Sequence, residues 1–426
     1  MTEITFQPIR GFPDVLGIHA NKHLEMLQLM QTFFLSYGYD YAVLPLVEKT
    51  NLFTRGVGQE TDIVTKEMYT FNDRHGDSIA LRPEGTASML RALLQSDYRD
   101  GQIARYQYYG PMFRHERPQK GRLRQFHQLG IECYGVNHFH ADTSLMTMCC
   151  QLWKKLGFAP NDIELTISYL GSKDSKNHYL GALNDFLSPH LATFSASIQE
   201  RFKKNPLRIL DTKDPVVQSI LKDAPLPIDY LSEDESHEFN CICSTLNDCG
   251  IKFTIDPKLV RGLDYYNGLV FEFKHADLGA QSTLCAGGRY DGLATQLGSS
   301  KPVSACGFSI GIERLLLVLP EQQQSILPVV YGISLTDHAF PELNRVLADI
   351  KMRTSIPIIQ DVKGGSLKNQ LKRATKHHAS FAIIVGEEEL QTNQYIIKNL
   401  HSGEQMTINQ QDITSYFIRS TNETSA

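Results

Sequence analysis

A fixed cation followed by two phenols opens the run Arg261-Gly262-Leu263-Asp264-Tyr265-Tyr266-Asn267-Gly268, and an apolar stretch from Leu269 to Phe273 continues it. An arginine keeps its proton throughout the physiological range, so it can hold a phosphate charge, while two phenols can wall and hydrogen-bond a small aromatic substrate. Leu269 to Phe273 reads as a strand, and Gly262 and Gly268 give the backbone room to turn on either side. Taken alone, the same residues also suit a hairpin edge with a surface arginine and two half-buried tyrosines.

Two basic segments add to it. From Arg114 to Arg124 stand Arg114, Arg117, Lys120, Arg122 and Arg124 against the single Glu116, and from Lys363 to Lys376 there are five more cations with no acidic residue. The chain has no glycine loop of the Walker type, and Gly56-Val57-Gly58 lacks the third glycine of a dinucleotide site. Phosphate must then be met by arginines. A guanidinium at Arg114 can make a bidentate contact to phosphate, and Phe126 can stack a base. Each such residue is more often a solvated loop charge or a core aromatic; packing them into thirteen residues favours the functional reading. Lys368, Lys372 and Lys376 recur at i, i+4 and i+8, a stripe on one helix face that suits RNA phosphates as well as plain solvation.

Elements to position these groups can be read from the patterning. Leu24, Leu27, Met30 and Phe34 mark an amphipathic helix, ended by Gly38 before a short strand reaching Pro45. Met68 to Phe71 and Ile79 to Leu81 flank Asp73-Arg74-His75-Gly76-Asp77, a hairpin turn, and a helix follows from about Thr86. Ala104 to Tyr109 and Gln125 to Tyr134 read as strands joined by the first basic segment, Ala141 to Leu156 as a helix, and Ile163 to Tyr169 as a further strand. Residues from about 172 to 250 turn polar and helix-like and read as an inserted helical subdomain. Strand patterning returns at Leu269 to Phe273 and Cys306 to Ile310, before a helix from Ile312 to Leu319. This succession predicts an α+β fold on an antiparallel sheet rather than a doubly wound one. The polar run Glu321-Gln322-Gln323-Gln324-Ser325 reads as a linker, so domains are expected at 1–325 and 326–426. Beyond it Val329 to Ile333, Ile356 to Ile359 and Phe381 to Val385 alternate with helices, predicting a small α/β domain with a largely parallel sheet.

The 426 residues leave room for two or three cores, and 42% hydrophobic with 21% charged residues is an ordinary globular balance. No apolar run is long enough to span a membrane, and the first residues lack the order of a secretory signal, so a cytoplasmic protein is expected. The eight cysteines show no paired metal or redox spacing. His237, Cys241, Cys243 and Cys249 share one helical stretch in which Cys243 points away from Cys241, so they read as reduced helix cysteines and no metal site is expected. A net charge of −5 excludes a protein coated in basic groups but leaves room for local patches.

Phe113-Arg114-His115-Glu116-Arg117 through Arg124-Gln125-Phe126-His127-Gln128 resembles the second signature of class II aminoacyl-tRNA synthetases. Gly307-Phe308-Ser309-Ile310-Gly311-Ile312-Glu313-Arg314 resembles the third, while the first, a helix leading to Pro45, is matched loosely. Leu81-Arg82-Pro83-Glu84-Gly85-Thr86 and the Arg261 to Tyr266 segment narrow the resemblance to the histidyl-tRNA synthetase family, from about Arg10 to beyond Gly386.

That resemblance implies a class II catalytic domain with a helical insertion, a C-terminal anticodon-binding domain, and a homodimer. It implies activation of L-histidine with ATP, Mg²⁺ being held mainly by the phosphates, and transfer of histidine to the 3′ end of tRNA(His). Arg114 would hold the α-phosphate, with Arg261 approaching it from the other side, and Arg122 the γ-phosphate. Phe126 and Arg314 would sandwich adenine, and Glu116 would position adenine or phosphates. Glu84, Thr86 and Gln128 would take the substrate ammonium. Glu132 would accept from one imidazole nitrogen and Tyr266 complement the other, with Tyr265, Tyr290 and Gly287-Gly288 shaping the pocket. Arg117 and Gln119 would reach the tRNA acceptor end, and Lys368, Lys372 and Lys376 are candidates for tRNA contact on the anticodon-binding domain. A non-aminoacylating relative, the regulatory subunit of ATP phosphoribosyltransferase, has the same core. The full set Arg114, Arg261 and Arg314 and the α/β domain after the core disfavour it. A class II synthetase for another amino acid is disfavoured by the pairing of Glu132 with Tyr266.

Overall fold

The computed structural model describes residues 6–99, 101–204, 206–210, 212, 214–320 and 329–424. It forms two compact units, one before and one after residues 321–328. The run from Glu321 to Ser325 and the expected boundary at 325 lie outside the described residues.

In the first unit the strands are β1 Asp40–Ala42, β2 Val47–Lys49, β3 Thr70–Asn72, β4 Ser78–Leu81, β5 Ala104–Phe113, β6 Gln125–Tyr134, β7 Ile163–Tyr169, β8 Phe253–Ile255, β9 Asn267–His275, β10 Thr283–Arg289 and β11 Ala305–Gly311. Eight of them form one sheet in the order β1-β5-β6-β11-β10-β9-β7-β8. The five pairings from β5 to β7 are antiparallel, and only β1 with β5 and β7 with β8 run parallel. The expected antiparallel α+β architecture is present. The hairpin of β3 and β4 forms as the turn chemistry predicts, with Asp73 Oδ1 accepting from the backbone N–H of His75 at 2.8 Å and of Asp77 at 2.9 Å. It belongs to a separate three-stranded sheet with β2.

The helix Ile18–Ser36 buries Met26, Leu27, Met30 and Phe34 against the sheet and is closed by Gly38 at φ +78°, the left-handed conformation that glycine adopts without strain. Leu24, expected on that buried face, is instead half exposed at 54%. Helix Phe139–Lys155 covers the same core with Leu145, Met146, Cys149 and Leu152. Between β7 and β8 the chain is helical. The elements from Tyr179 to Ala224 gather a core of their own, while Phe239, Ile242 and Leu246 of helix Glu233–Asp248 join the main one.

Strands β8 and β10 carry too weak a pattern to be read from sequence. In β10 the cause is Gly287-Gly288, which breaks the apolar run. A Cβ on Gly287 would lie 2.2 Å from the carbonyl oxygen of Gly307, so close strand packing demands the residue that hides the strand.

The second unit has a five-stranded sheet in the order β13-β12-β14-β15-β16, from β12 Val330–Ser334, β13 Ile358–Gln360, β14 Phe381–Val385, β15 Gln394–Asn399 and β16 Gln405–Asn409. It is mixed, not largely parallel: β13, β12 and β14 run parallel, but β15 and β16 add an antiparallel half. Polar residues interrupt both added strands, and β16 is mostly exposed, so neither shows a clear apolar run.

Candidate functional site

The helix Thr86–Leu94 begins at the edge of a cleft with Gly85 at its N-cap, and Glu84, one residue earlier, reaches the helix's first N–H groups. Its carboxylate accepts from the backbone N–H of Thr86 at 2.7 Å and of Ala87 at 2.9 Å, which fixes the anion where the helix dipole favours one. Burial pushes the Glu84 carboxyl up from its ordinary range, while those two N–H groups and the Arg114 charge pull it back.

The cleft opens between this helix, the hairpin of β5 and β6, β10, β11 and the segment from Arg261 to Tyr266. Thr86, Gln128, Tyr265 and Tyr266 line it together with Glu84. So do Arg114, Glu116, Arg122, Phe126, Arg261 and Arg314. The antiparallel register explains part of this convergence: Met112 pairs with Phe126 and Phe113 with Gln125, so Arg114 leaves its strand beside Phe126. The Arg114 guanidinium lies 5.2 Å from the Phe126 ring centroid, and its Nε donates to the Pro83 carbonyl oxygen at 2.9 Å.

Four guanidiniums therefore share one cleft. Burial, and then the like charges of Arg114, Arg122 and Arg261, hold the Arg314 guanidinium down at about 10. Arg314 is fixed by donating from Nε to the carbonyl of Gly121 at 2.8 Å and from Nη1 to that of Thr283 at 2.9 Å. Arg122 is ion-paired with Glu116 and lies 4.0 Å from Glu67. Arg261 is ion-paired with Glu272. Burial opposes its charged form, and Glu272 first, with the Tyr266 and Tyr265 phenols, favours it, so that the guanidinium ends above its ordinary value.

Glu132 and Tyr290 stand beneath the cleft wall rather than on it, at 1% exposure each. Glu132 Oε1 accepts from the Thr86 hydroxyl at 2.8 Å and the Tyr108 hydroxyl at 3.0 Å, and Oε2 accepts from the Tyr290 hydroxyl. Burial pushes the Glu132 carboxyl up to about 8, against the pull of those three donors. Glycines make the space: a Cβ on Gly85 or Gly130 would lie 2.1 Å from the Tyr108 ring, and one on Gly307 would lie 1.9 Å from Glu132 Oε2. Tyr265 and Tyr266 wall the cleft with ring centroids 4.7 Å apart, and Tyr290 packs behind them, 5.6 Å from Tyr265.

Setting aside Glu116 Oε2, which is ion-paired with Arg122, two buried polar atoms of the cleft lack a hydrogen-bond partner among the described residues, the acceptor Gln128 Oε1 and the donor Arg261 Nε. Leaving such atoms unpaired costs about 1–3 kcal/mol each, so both suit a polar ligand. Arg117 and Gln119 do not line the cleft; both are exposed on the loop joining β5 and β6, where Gln119 and Arg122 exchange backbone hydrogen bonds. Glu272, Tyr108, Thr283 and Glu313 escaped the sequence reading. Glu313 accepts from the His127 backbone N–H at 2.9 Å and tethers β6 to the helix Ile312–Val318. Of these, Glu272 alone left a signal, a carboxylate within an apolar strand.

In the second unit, helix Leu367–Lys376 buries Gln370 and Ala374 and exposes Lys368, Lys372 and Lys376. Arg373 anchors its neighbouring loop through Asp361, at 2.6 and 2.9 Å. Among the described residues no group of three or more His, Cys, Asp or Glu side chains could hold a metal ion, and no helix is long and apolar enough to cross a membrane.

Residues 11–315 match the family described as histidyl-tRNA synthetase, and residues 326–420 match the anticodon binding domain. Among solved structures, the chain is similar to apo histidyl-tRNA synthetase of S. aureus at 30% identity over 97% of this chain and 100% of that one, with a TM-score of 0.78. The histidyl-tRNA synthetase of Nostoc sp. PCC 7120, at 20% identity over 98% and 100%, shares the fold with a TM-score of 0.71. A Bacillus halodurans protein described as an ATP phosphoribosyltransferase regulatory subunit/histidyl-tRNA synthetase shares it at 19% identity over 90% and 99%, with a TM-score of 0.64.

Proposed function

The chain belongs to the histidyl-tRNA synthetase family, with that family's histidine–tRNA ligase activity and use of ATP, and from this premise we propose a residue-by-residue account of the reaction. The histidine carboxylate attacks the α-phosphorus of ATP and pyrophosphate leaves. The nucleophile is already ionised at neutral pH, so no general base is required. What the reaction needs is neutralisation of a strongly anionic transition state. The observation that carries this reading is the convergence of Arg114, Arg122, Arg261 and Arg314 on one cleft, like charges whose mutual repulsion a polyanion relieves.

Arg114 and Arg261 hold the α-phosphate from two sides, and Arg122 takes the γ-phosphate after leaving Glu116. Adenine stacks on Phe126, with the Arg314 guanidinium against its other face and Glu116 near its edge or the phosphates. The substrate ammonium is met by Glu84, the Thr86 hydroxyl and Gln128, whose orphaned Oε1 supports the assignment. The imidazole lies against Tyr265 and Tyr266, with Glu132 and the Tyr266 hydroxyl answering its two nitrogens and Tyr290 fixing Glu132. A competitor that cannot pair these buried groups would be rejected on the order of 10⁴-fold, so no editing domain is required.

Mg²⁺ comes with ATP, held through the phosphates, and the chain's own share of charge neutralisation rests on the four guanidiniums. In the second step the terminal ribose hydroxyl of tRNA(His) takes the histidyl group, with Arg117 and Gln119 on the exposed loop near the acceptor end. The unit 326–426 engages the anticodon, and Lys368, Lys372 and Lys376 supply phosphate contacts. The protein acts in the cytoplasm as a homodimer. Support for self-association comes from the open edge of the large sheet at β1 and the exposed apolar residues beside it, Tyr41 and Val43.

The deciding experiment is pyrophosphate exchange with each of the twenty amino acids. Exchange with histidine alone establishes the substrate; no exchange with any of them would favour a regulatory relative.

A further inference from the structure

Strand β9 is apolar from Leu269 to Phe273 except for Glu272, which is 7% exposed and lies within the sheet, opposite Ala286 on β10 and Thr166 on β7. A buried carboxylate needs partners, and this one has three. Its Oε1 is ion-paired with Arg261 Nη1, and its Oε2 accepts from the Thr283 hydroxyl at 3.2 Å and the Lys274 ammonium at 3.3 Å. Thr283 also accepts at its carbonyl from Arg314 Nη1, at 2.9 Å. One carboxylate thus joins the cation on one flank of the cleft to the strand residue that holds the cation on the other.

We propose that Glu272 is a positioning residue for Arg261: by taking Nη1 it fixes the plane of the guanidinium and leaves the edge formed by Nε and Nη2 for the α-phosphate. This inference rests on the assignment of Arg261 to that phosphate. Three observations carry it. Arg261 lines the cleft while Glu272 does not, so the carboxylate acts from behind the cation. Arg261 Nε is buried and lacks a partner among the described residues, as expected of a donor reserved for a ligand. Arg114 and Arg314 stand close enough to repel Arg261, and the anion that holds it against that repulsion is Glu272. Anchored by Thr283 and Lys274, Glu272 sets the position of the guanidinium before ATP arrives. Displacing such a group by on the order of 1 Å can cost about 10²-fold in rate.

The test is a double-mutant cycle of Glu272→Gln and Arg261→Ala, read by histidine-dependent pyrophosphate exchange. Glu272→Gln keeps the shape and an oxygen for Thr283 but gives up the charge. It is expected to lower kcat on the order of tenfold, with the KM values for histidine and ATP moving less than about twofold. In the Arg261→Ala background the same change is expected to cost less than about twofold, because its effect passes through Arg261. Wild-type kcat in Glu272→Gln, or a full further loss on top of Arg261→Ala, overturns the proposal, since either means that Glu272 does not act through that cation. If Arg261→Ala itself exchanges at the wild-type rate, the assignment of Arg261 fails instead. Should Glu272→Gln melt early, Thr283→Val serves in the same cycle: it removes only the hydroxyl that anchors Glu272, and its loss must likewise vanish in Arg261→Ala.

Discussion

The guanidinium of Arg122 is ion-paired with the carboxylate of Glu116, six residues back along the same loop, and both side chains face the cleft. A cation held this way must release one anion to take another, so part of the affinity for a phosphate is offset by the pair it replaces. Arg122→Ala is expected to raise the KM for ATP on the order of tenfold, the worth of one charge-assisted hydrogen bond, and to leave the KM for histidine unchanged. Exchange kinetics with each substrate varied in turn check it. An unaltered KM for ATP would remove Arg122 from the phosphate site.

Arg261 is assigned to the transition state rather than to ground-state binding. Arg261→Ala should therefore cut the rate of adenylate formation on the order of 10²-fold or more, with histidine affinity nearly unchanged. Single-turnover formation of adenylate, together with equilibrium binding of histidine, separates the two. A variant that loses histidine affinity and keeps its rate would place Arg261 in substrate binding instead.

The carboxyl of Glu132, raised to about 8 by burial, gives two pH dependences of opposite sense. For binding, the acceptor form appears as pH rises, so kcat/KM for histidine should climb through an ionisation near that value in the free enzyme. For stability, the folded protein keeps a proton that the unfolded chain loses near the ordinary glutamate range of about 4.3, so this group's contribution is full below that range and is lost as pH rises toward 8. Glu132→Gln should flatten both. Profiles of kcat/KM and of Tm between those limits test it, and an unchanged rise in kcat/KM would assign the ionisation to another group.

Gly130 has no room for a side chain, because its Cβ would sit 2.1 Å from the Tyr108 ring. Gly130→Ala should lower stability by about 1–3 kcal/mol, as overpacking does. It should also raise the KM for histidine, because the displaced Tyr108 hydroxyl lets go of Glu132. Denaturant unfolding and exchange kinetics measure the two effects; a stable variant with normal KM would mean that the Tyr108 ring yields freely.

The exposed stripe on helix Leu367–Lys376 is expected to matter only when tRNA is present. Replacing Lys368, Lys372 and Lys376 together with Ala should leave pyrophosphate exchange intact and raise the KM for tRNA. The salt dependence should become shallower, by about one unit of slope for each phosphate that is no longer neutralised. Charging assays across a range of salt concentrations check it. Unchanged charging would return the stripe to a solvated face.

Sequence by itself determined the residue types on which the chemistry depends and most of the elements that carry them. A helix from Thr86, two strands joined by a basic loop, and a phenol pair after Arg261 are local facts, written in periodicity, turn residues and fixed charges. Their meeting is not local. Glu84, Arg114, Arg261 and Arg314 come together because the register of β5 with β6 and the order of β6, β11, β10 and β9 bring distant segments to one cleft.

Only the tertiary structure decided which charges are free and which are already matched. Arg122 and Glu116 face each other, Glu272 stands behind Arg261, and Glu132 sits beneath the wall with three hydroxyl donors. The physical reason is that a charge's state depends on burial and on partners within a few ångströms, and pairs as distant along the chain as Tyr290 and Glu132 become neighbours only when the sheet is built. The same reason hides β10 and β16, whose glycines and polar residues make sense only against the strands beside them.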